Sequence, residues 1–162
     1  RFGAVLWLSE HKDENGILSK LGPEPLSTDF NGEYLVAKAK KRNVPIKTFL
    51  MNNQVVVGVG NIYANEALFK AGILPISKAC QIKQCKMFAL VDIIKDVLTM
   101  AIEQGGTTLK DFTQADGRPG YFAQKLNVYG RAGKPCVACG ATLKEIRQSN
   151  RSSVYCEHCQ TD

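Results

Sequence analysis

Long apolar runs are missing from this sequence. No stretch of about 18 apolar residues occurs, so nothing in it reads as a membrane-spanning helix. The opening Arg1-Phe2-Gly3-Ala4-Val5-Leu6-Trp7-Leu8 is too short for a signal peptide and reads as one strand. No initiator methionine precedes it, so the chain reads as a piece of a longer one, with processing as the other explanation. Internal repeats are absent. No strand–Gly-rich–Lys pattern marks a nucleotide-binding loop. No His-x-Glu accompanies the cysteines, which sets aside a zinc deaminase. The 162 residues, 44% of them hydrophobic, suffice for one moderate core or two small ones.

What is present is positive charge, unevenly placed. The formal net charge is +6, with residues 1–117 at +2, residues 118–151 at +6 and residues 152–162 at −2. In the middle segment Arg118, Lys125, Arg131, Lys134, Lys144, Arg147 and Arg151 stand against Glu145 alone. A segment this basic is what a polyanion-binding surface requires, and a merely solvated basic face has the same composition.

Four of the six cysteines form two pairs, Cys136-Val-Ala-Cys139 and Cys156-Glu-His-Cys159, separated by 16 residues. Two thiolates from each tight turn can complete a tetrahedron around one zinc ion. Two disulfides are the alternative, but they need an oxidising compartment, and no export signal is seen. His158 is a spectator if four sulfurs close the site. Cys80 and Cys85 fall on a helical stretch and read as buried or idle thiols.

Along the chain, residues 9–26 read as a polar loop ending in the linker signal Leu21-Gly22-Pro23-Glu24-Pro25. The pattern turns helical from Thr28 and stops near the basic run Lys38, Lys40, Lys41, Arg42. Pro45 suits the start of a second helix, with Ile46, Phe49 and Leu50 at helical spacing, stopping near Asn52-Asn53. A third helix runs from Asn61 to about Ala71, where Gly72 and Pro75 end it. A long core helix follows from about Ile82 to Gly105-Gly106, with Cys85, Phe88, Ala89, Ile93, Val97, Met100 and Ala101 as its apolar series. Residues 107–125 are irregular. The remainder is too small to bury a core of its own and needs its metal to fold. Thr142–Arg147 and Ser152–Cys156 read as a hairpin turning near Asn150.

The stretch VVVGVGNIYANEALF, residues 55–69, raises a question of its own. A helix start carries unpartnered N–H groups and partial positive charge, which suit a phosphate. Glycines just before it let an anion reach the backbone and can adopt conformations closed to other residues. Asn61 can cap the helix or donate its amide to a phosphate oxygen. Gly58-Val59-Gly60-Asn61 therefore reads as an anion cradle or as a plain capped helix after a tight turn. The stretch by itself favours the plain helix.

Taken together, RFGAVLW, LGPEPL, VVVGVGNIYANEALFKAGI, IEQGGTTLKDF, DGRPGYFAQ and CVACG…NRSSVYCEHCQ resemble the C-terminal part of the formamidopyrimidine-DNA glycosylase family. The related endonuclease-eight group shares both parts, but the loop TTLKDFTQADGRPGYF fits the formamidopyrimidine group better. The resemblance implies a mainly α fold. A helix-two-turn-helix bundle (27–117) would be followed by the end of a lesion-covering loop and a four-cysteine zinc β-hairpin (118–162). Residues 1–26 would be the last strand and linker of a truncated β-domain. The implied activity is base-excision repair: removal of 8-oxoguanine and formamidopyrimidines, then nicking of the abasic site by a lyase step. The implied partners are double-stranded DNA with an oxidised base or abasic site and the missing N-terminal domain. The implied setting is a monomer in the bacterial cytoplasm, on nucleoid DNA and away from membranes.

Carried over residue by residue, the resemblance makes Asn61, after Gly60, the asparagine that grips a backbone phosphate beside the damaged nucleotide. It makes Arg151, at the hairpin tip, the arginine that does so from the zinc side. The family also gives that arginine a proton-donor part in the final elimination, although an arginine is a poor acid. Phe2 matches the aromatic wedge that fills the gap left by the extruded base, and Arg1 is counted with it on DNA. The family arginine that contacts the opposite base would lie just before Arg1. Lys110 falls in the lesion-covering loop, with Thr107, Thr108 and Tyr121 as further candidates. Arg42 occupies a DNA-facing basic position, or is simply one charge in a run. Cys136, Cys139, Cys156 and Cys159 would hold one structural zinc. The hairpin departs from the family in reading Ser152-Ser153-Val154 where a threonine and a larger aromatic are common. The family nucleophile, an N-terminal proline amine followed by glutamate, has no counterpart in these 162 residues, which alone are expected to be inactive. The competing readings are a non-catalytic zinc-ribbon module that binds nucleic acid and a purely structural zinc protein.

Overall fold

The computed structural model describes residues 18–105 and 126–161. The expectations for the strand at 1–8, for Arg1 and Phe2, and for Thr107, Thr108, Lys110 and Tyr121 in the irregular 107–125 stretch lie outside the described residues. Within them the fold is mainly helical. Four α-helices, α1 (Gly32–Ala39), α2 (Ile46–Leu50), α3 (Asn61–Lys70) and α4 (Gln84–Glu103), precede one antiparallel hairpin, β1 (Lys144–Gln148) and β2 (Arg151–Tyr155).

The helix ends follow local chemistry. Asn31 opens α1 by accepting the Tyr34 N–H on Oδ1 at 2.9 Å. So α1 starts four residues later than the expected Thr28, because residues 28–30 form a bend that drops Phe30 into the core. Pro45 precedes α2. At the end of α3, Gly72 is left-handed (φ 63°), and Ile73 N–H reaches back to Leu68 O at 3.0 Å, which closes the last turn.

Helix α4 packs on α1 and α3, while α3 also lies against β2. Phe30, Leu35, Ile46, Leu50, Leu68, Ile73, Leu90 and Ile94 are buried at the centre. The face that α4 buries is Met87, Leu90, Val91, Ile94, Val97, Leu98 and Ala101. This corrects the expected series. Val97 and Ala101 belong to it, but Cys85 and Ala89 are exposed and Phe88, Ile93 and Met100 are half-buried. Apolar residues surround much of this helix, so the spacing admits two phases. The close contact with α1 selects one of them. Cys80 and Cys85 are likewise exposed rather than buried.

The α1–α4 crossing depends on a missing side chain. A Cβ on Gly32 would stand 2.5 Å from Cδ1 of Phe88. Gly32→Ala must therefore push the Phe88 ring or spread the two helices. It should lower stability by about 1–3 kcal/mol in urea titrations, as overpacking does. An unchanged midpoint would show that the crossing tolerates the methyl group.

Candidate nucleic-acid interface and metal centre

The metal centre is built by two tight turns. In the first, Cys136 N–H donates to Ala141 O at 2.8 Å, Gly140 N–H returns to Cys136 O at 3.0 Å, and Gly140 takes φ 76°. In the second, the buried Gln160 accepts the Cys156 N–H on Oε1 at 2.9 Å and donates Nε2 to Ile73 O at 2.8 Å, which ties the turn to the end of α3. The sulfurs of Cys136 and Cys159 lie 3.9 Å apart and those of Cys139 and Cys156 3.4 Å apart. All four lie within 4.8 Å of one another.

Zinc–sulfur bonds of about 2.3 Å in a tetrahedron place sulfurs about 3.8 Å apart, whereas a disulfide needs about 2.05 Å. The spacing therefore fits one zinc ion and not the disulfide alternative. The thiols also strain one another electrically. Burial works to raise Cys136, but the N–H groups of Ala138 and Cys139 and the neighbouring thiols bring it down to about 7. Hydrogen bonding from Cys139, then burial and the other thiols, push Cys159 up to about 12. Four thiolates can share this space only around a cation. His158 is exposed and adds no ligand to the cluster.

The hairpin is docked on the helices rather than hung from them. Its small core of Val128, Leu143, Val154 and the two buried cysteines borrows Phe69 from α3. Asn65, buried in α3, accepts the Val154 N–H at 2.9 Å and donates to Asn61 O at 2.7 Å and Ser152 O at 3.4 Å. Lys47, buried in α2, donates to Ser152 O and, at 2.7 Å, to Ser153 Oγ. Ser153 in turn donates to Gln148 Oε1 at 2.6 Å, and Gln148 Nε2 donates to Pro75 O at 3.1 Å. Thus Ser152 through its backbone carbonyl and Ser153 through its hydroxyl accept a buried lysine.

Gln148 pairs with Arg151 across a two-residue turn, Ser149-Asn150, in which both residues have positive φ (47° and 59°). That turn presents Arg151 as the exposed first residue of β2.

These links bring the tip over the start of α3. A cavity of about 290 Å³ is lined by Gly58, Gly60, Asn61, Tyr63, Tyr129 and Arg151, among others. The cap of α3 is Gly60, in extended backbone, and no side chain closes it; Asn61 is the first helical residue. Of the two readings left open for Asn61, the structure removes the cap. Its Oδ1 is buried and without a hydrogen-bond partner among the described residues, so it does not serve as the cap acceptor. The two glycines also differ. Gly58 needs its freedom, at φ 74°, whereas Gly60 has φ −87°, and a Cβ there would meet nothing within 4 Å. Arg42 is exposed on the turn after α1 and is not among the residues lining the cavity.

Sequence reasoning missed Tyr129 and what places it. The buried Glu66 accepts N–H groups from Asn127, Val128 and Tyr129 at 2.8–2.9 Å, and the Asn127 side-chain amide at 2.9 Å. Four donors converge on one carboxylate and fix residues 127–129 to α3. The only local signal was Asn65-Glu66, two adjacent polar residues flanked by Ala64, Ala67 and Leu68 in mid-helix.

The fold and the cluster define a helical bundle with a docked four-cysteine zinc hairpin. A family described as the formamidopyrimidine-DNA glycosylase H2TH domain matches residues 21–113, and a zinc finger found in FPG and IleRS matches residues 133–161. The chain belongs to the formamidopyrimidine-DNA glycosylase family.

Among relatives, the formamidopyrimidine-DNA glycosylase of Colwellia psychrerythraea (strain 34H) is 72% identical over 162 residues, which is all of this chain and 60% of the relative. That of Marinomonas sp. (strain MWYL1) is 60% identical over 99% of this chain and 59% of its own length. The chain thus spans about 60% of the length of the curated relatives it matches. The crystal structure of MutM (Fpg) from Thermus thermophilus is similar with a TM-score of 0.84 at 39% identity, over 88% of this chain and 55% of that one. The complex between the Lactococcus lactis Fpg and DNA containing an abasic site gives 0.81 at 34% identity, over 90% of this chain and 53% of that one. Among the described residues no helix is long and apolar enough to cross a membrane.

Two outcomes follow from this docking. Metal analysis should find about one zinc per chain. Chelation or Cys156→Ser should melt the hairpin and also lower the urea midpoint of the helical signal, because Lys47 and Asn65 lose their acceptors. A helical transition indifferent to zinc would refute the coupling. Glu66→Gln turns an NH2 group toward N–H donors and should cost about 2 kcal/mol or more at constant zinc. An unaltered midpoint would mean that the 127–129 turn is held by something else.

Proposed function

We propose that this chain is the DNA-gripping C-terminal portion of a base-excision repair enzyme. The enzyme would remove oxidised purines, such as 8-oxoguanine and formamidopyrimidines, and then nick the abasic strand. The observation that carries this reading is that Asn61, the uncapped start of α3 and Arg151 meet around one cavity. Solved relatives with DNA support it: one Lactococcus lactis FPG structure contains Fapy-dG DNA and another abasic-site DNA.

In this reading the Asn61 amide and the first N–H groups of α3 take one phosphate, and the Arg151 guanidinium takes its neighbour, so that both flank an extruded nucleotide. The duplex is the partner. Residues 1–26 end a preceding β-domain, 27–117 form the helical DNA-binding unit, and 118–162 complete a lesion loop and the zinc hairpin. Phe2 supplies the wedge, with Arg1 beside it. Thr107, Thr108, Lys110 and Tyr121 supply the lesion loop, and Arg42 an outlying backbone contact. Base removal needs an N-terminal proline amine, so that chemistry is assigned to the whole protein, acting on DNA in the bacterial cytoplasm. The 162 residues alone should trap no borohydride adduct with 8-oxoguanine duplex.

Salt titration of binding to abasic and undamaged duplexes tests the two grips separately. Arg151→Ala removes a cation, so binding should weaken and its logarithmic salt slope should fall by roughly one. Asn61→Ala removes a neutral donor, so binding should weaken with the slope nearly unchanged. Because Asn61 caps nothing and its Oδ1 has no partner, Asn61→Ala should leave thermal stability level or slightly raised. An Asn61→Ala protein that binds abasic DNA like the wild type would remove Asn61 from the grip.

A further inference from the structure

Lys47 is the most buried cation among the described residues, 1% exposed, and the proposed grip does not use it. Its ammonium has three N–H donors. Two are taken by Ser152 O and Ser153 Oγ, immediately after Arg151 in β2. A neutral amine keeps two donors, so both bonds survive loss of one proton. A cavity of about 190 Å³ is lined by Lys47, Thr48, Met51, Gln148, Ser149 and Arg151, so it opens on both cations.

The groups facing Lys47 are few. From β2 comes the charged Arg151, from β1 the neutral Gln148 and from α3 the neutral Asn65. Glu145 takes the Ser152 hydroxyl, is exposed, and is not among the groups acting on Lys47. Among the described residues no carboxylate lines the cavity.

We propose that Lys47 is a positioning residue for Arg151, fixing the hairpin tip through Ser152 and Ser153 and taking up a proton when a phosphate docks on Arg151. The proposal rests on the reading of Arg151 as a phosphate ligand. Burial first, and then the Arg151 charge, lower the free Lys47 from the ordinary 10.5 to about 8. An anion on Arg151 cancels the second cause, so the bound protein holds the Lys47 proton to higher pH. A proton-linked gain in affinity is therefore complete below about pH 8 and is lost as pH rises through the window between the free and bound values. For one proton the loss is no steeper than about tenfold per pH unit.

The experiment follows the Lys47 side chain in the zinc-loaded protein by lysine-labelled NMR, with and without a short duplex carrying an abasic-site analogue. The dissociation constant is measured across pH 7–10 in parallel. Lys47 should titrate near 8 free and clearly higher with the duplex, and affinity should fall above pH 8. In Arg151→Ala without DNA, the Lys47 midpoint should rise by itself. Lys47→Met should flatten the pH dependence of affinity, and Lys47→Arg, which keeps a charge that does not titrate, should flatten it as well.

The two readings fail separately. If the duplex binds and Lys47 does not move, or if Arg151→Ala leaves its midpoint in place, the proton linkage is wrong. If Arg151→Ala moves Lys47 as expected but the duplex does not bind, the coupling is real, the DNA reading of Arg151 falls, and the proton uptake assigned to DNA falls with it. Because the NMR arms use the wild type and a surface substitution, the outcome does not depend on whether a buried-lysine variant folds.

Discussion

One buried side chain sets the distance between the two halves of the site. Asn65 holds the backbone of α3 at Asn61 with its amide nitrogen, and the backbone of β2 at Ser152 and Val154 with its two ends. Asn61 and Arg151 stand directly beside those contact points. Each such bond adds only about 1 kcal/mol net, yet leaving a buried partner unpaired costs about 1–3 kcal/mol. That asymmetry makes Asn65 a positional constraint more than a source of stability. A shift of β2 by one residue would strand the amide and point alternate side chains the wrong way.

The metal enters the same chain of dependence. Residues 126–161 contribute few large apolar side chains to their own cluster and take Phe69 from α3 to complete it. Strand β2 is therefore expected to partner Asn65 and Lys47 only while the four sulfurs are drawn together. The bond from Gln160 to Ile73 and the pairing of Thr161 with Gly72 and Leu74 anchor the far end. None of the four cysteines lines the cavity at Asn61, yet the hairpin they close carries Arg151.

What the sequence made legible was whatever its neighbours determine. Cysteine spacing predicted the zinc cluster, and Gly72 with Pro75 marked the end of α3. Asn150, tolerant of a left-handed backbone, marked the hairpin turn. The errors share a cause. A cap stayed open as one reading of Asn61 because the usual capping residues are asparagine, serine, threonine and aspartate, but here the chain enters the helix one residue earlier, at Gly60. The phase of α4 was misread because Cys85 and Ala89 are small enough to sit in water at little cost. Lys47, Asn65 and Glu66 were invisible for another reason. Their partners lie far along the chain, and a polar residue amid apolar ones looks like a solvated face until its distant acceptor is known.

The site carries two costs when empty, and they differ in kind. The Oδ1 of Asn61, buried and without a partner among the described residues, is a fixed cost, because a phosphodiester anion has no proton to donate to it. The proximity of Arg151 to the buried Lys47 is a conditional cost on the proposed reading, since a phosphate held by Arg151 would neutralise the charge that disfavours the ammonium. Strain of this second kind would work as stored binding free energy, because only the free state would bear it. Replacing Lys47 by an apolar residue would remove the repulsion and the stored gain together, and would leave Ser152 O to Asn65 alone. On the proposed reading of Arg151, a buried lysine sharing its cavity is thus poor design for a static scaffold and reasonable design for one that works when occupied.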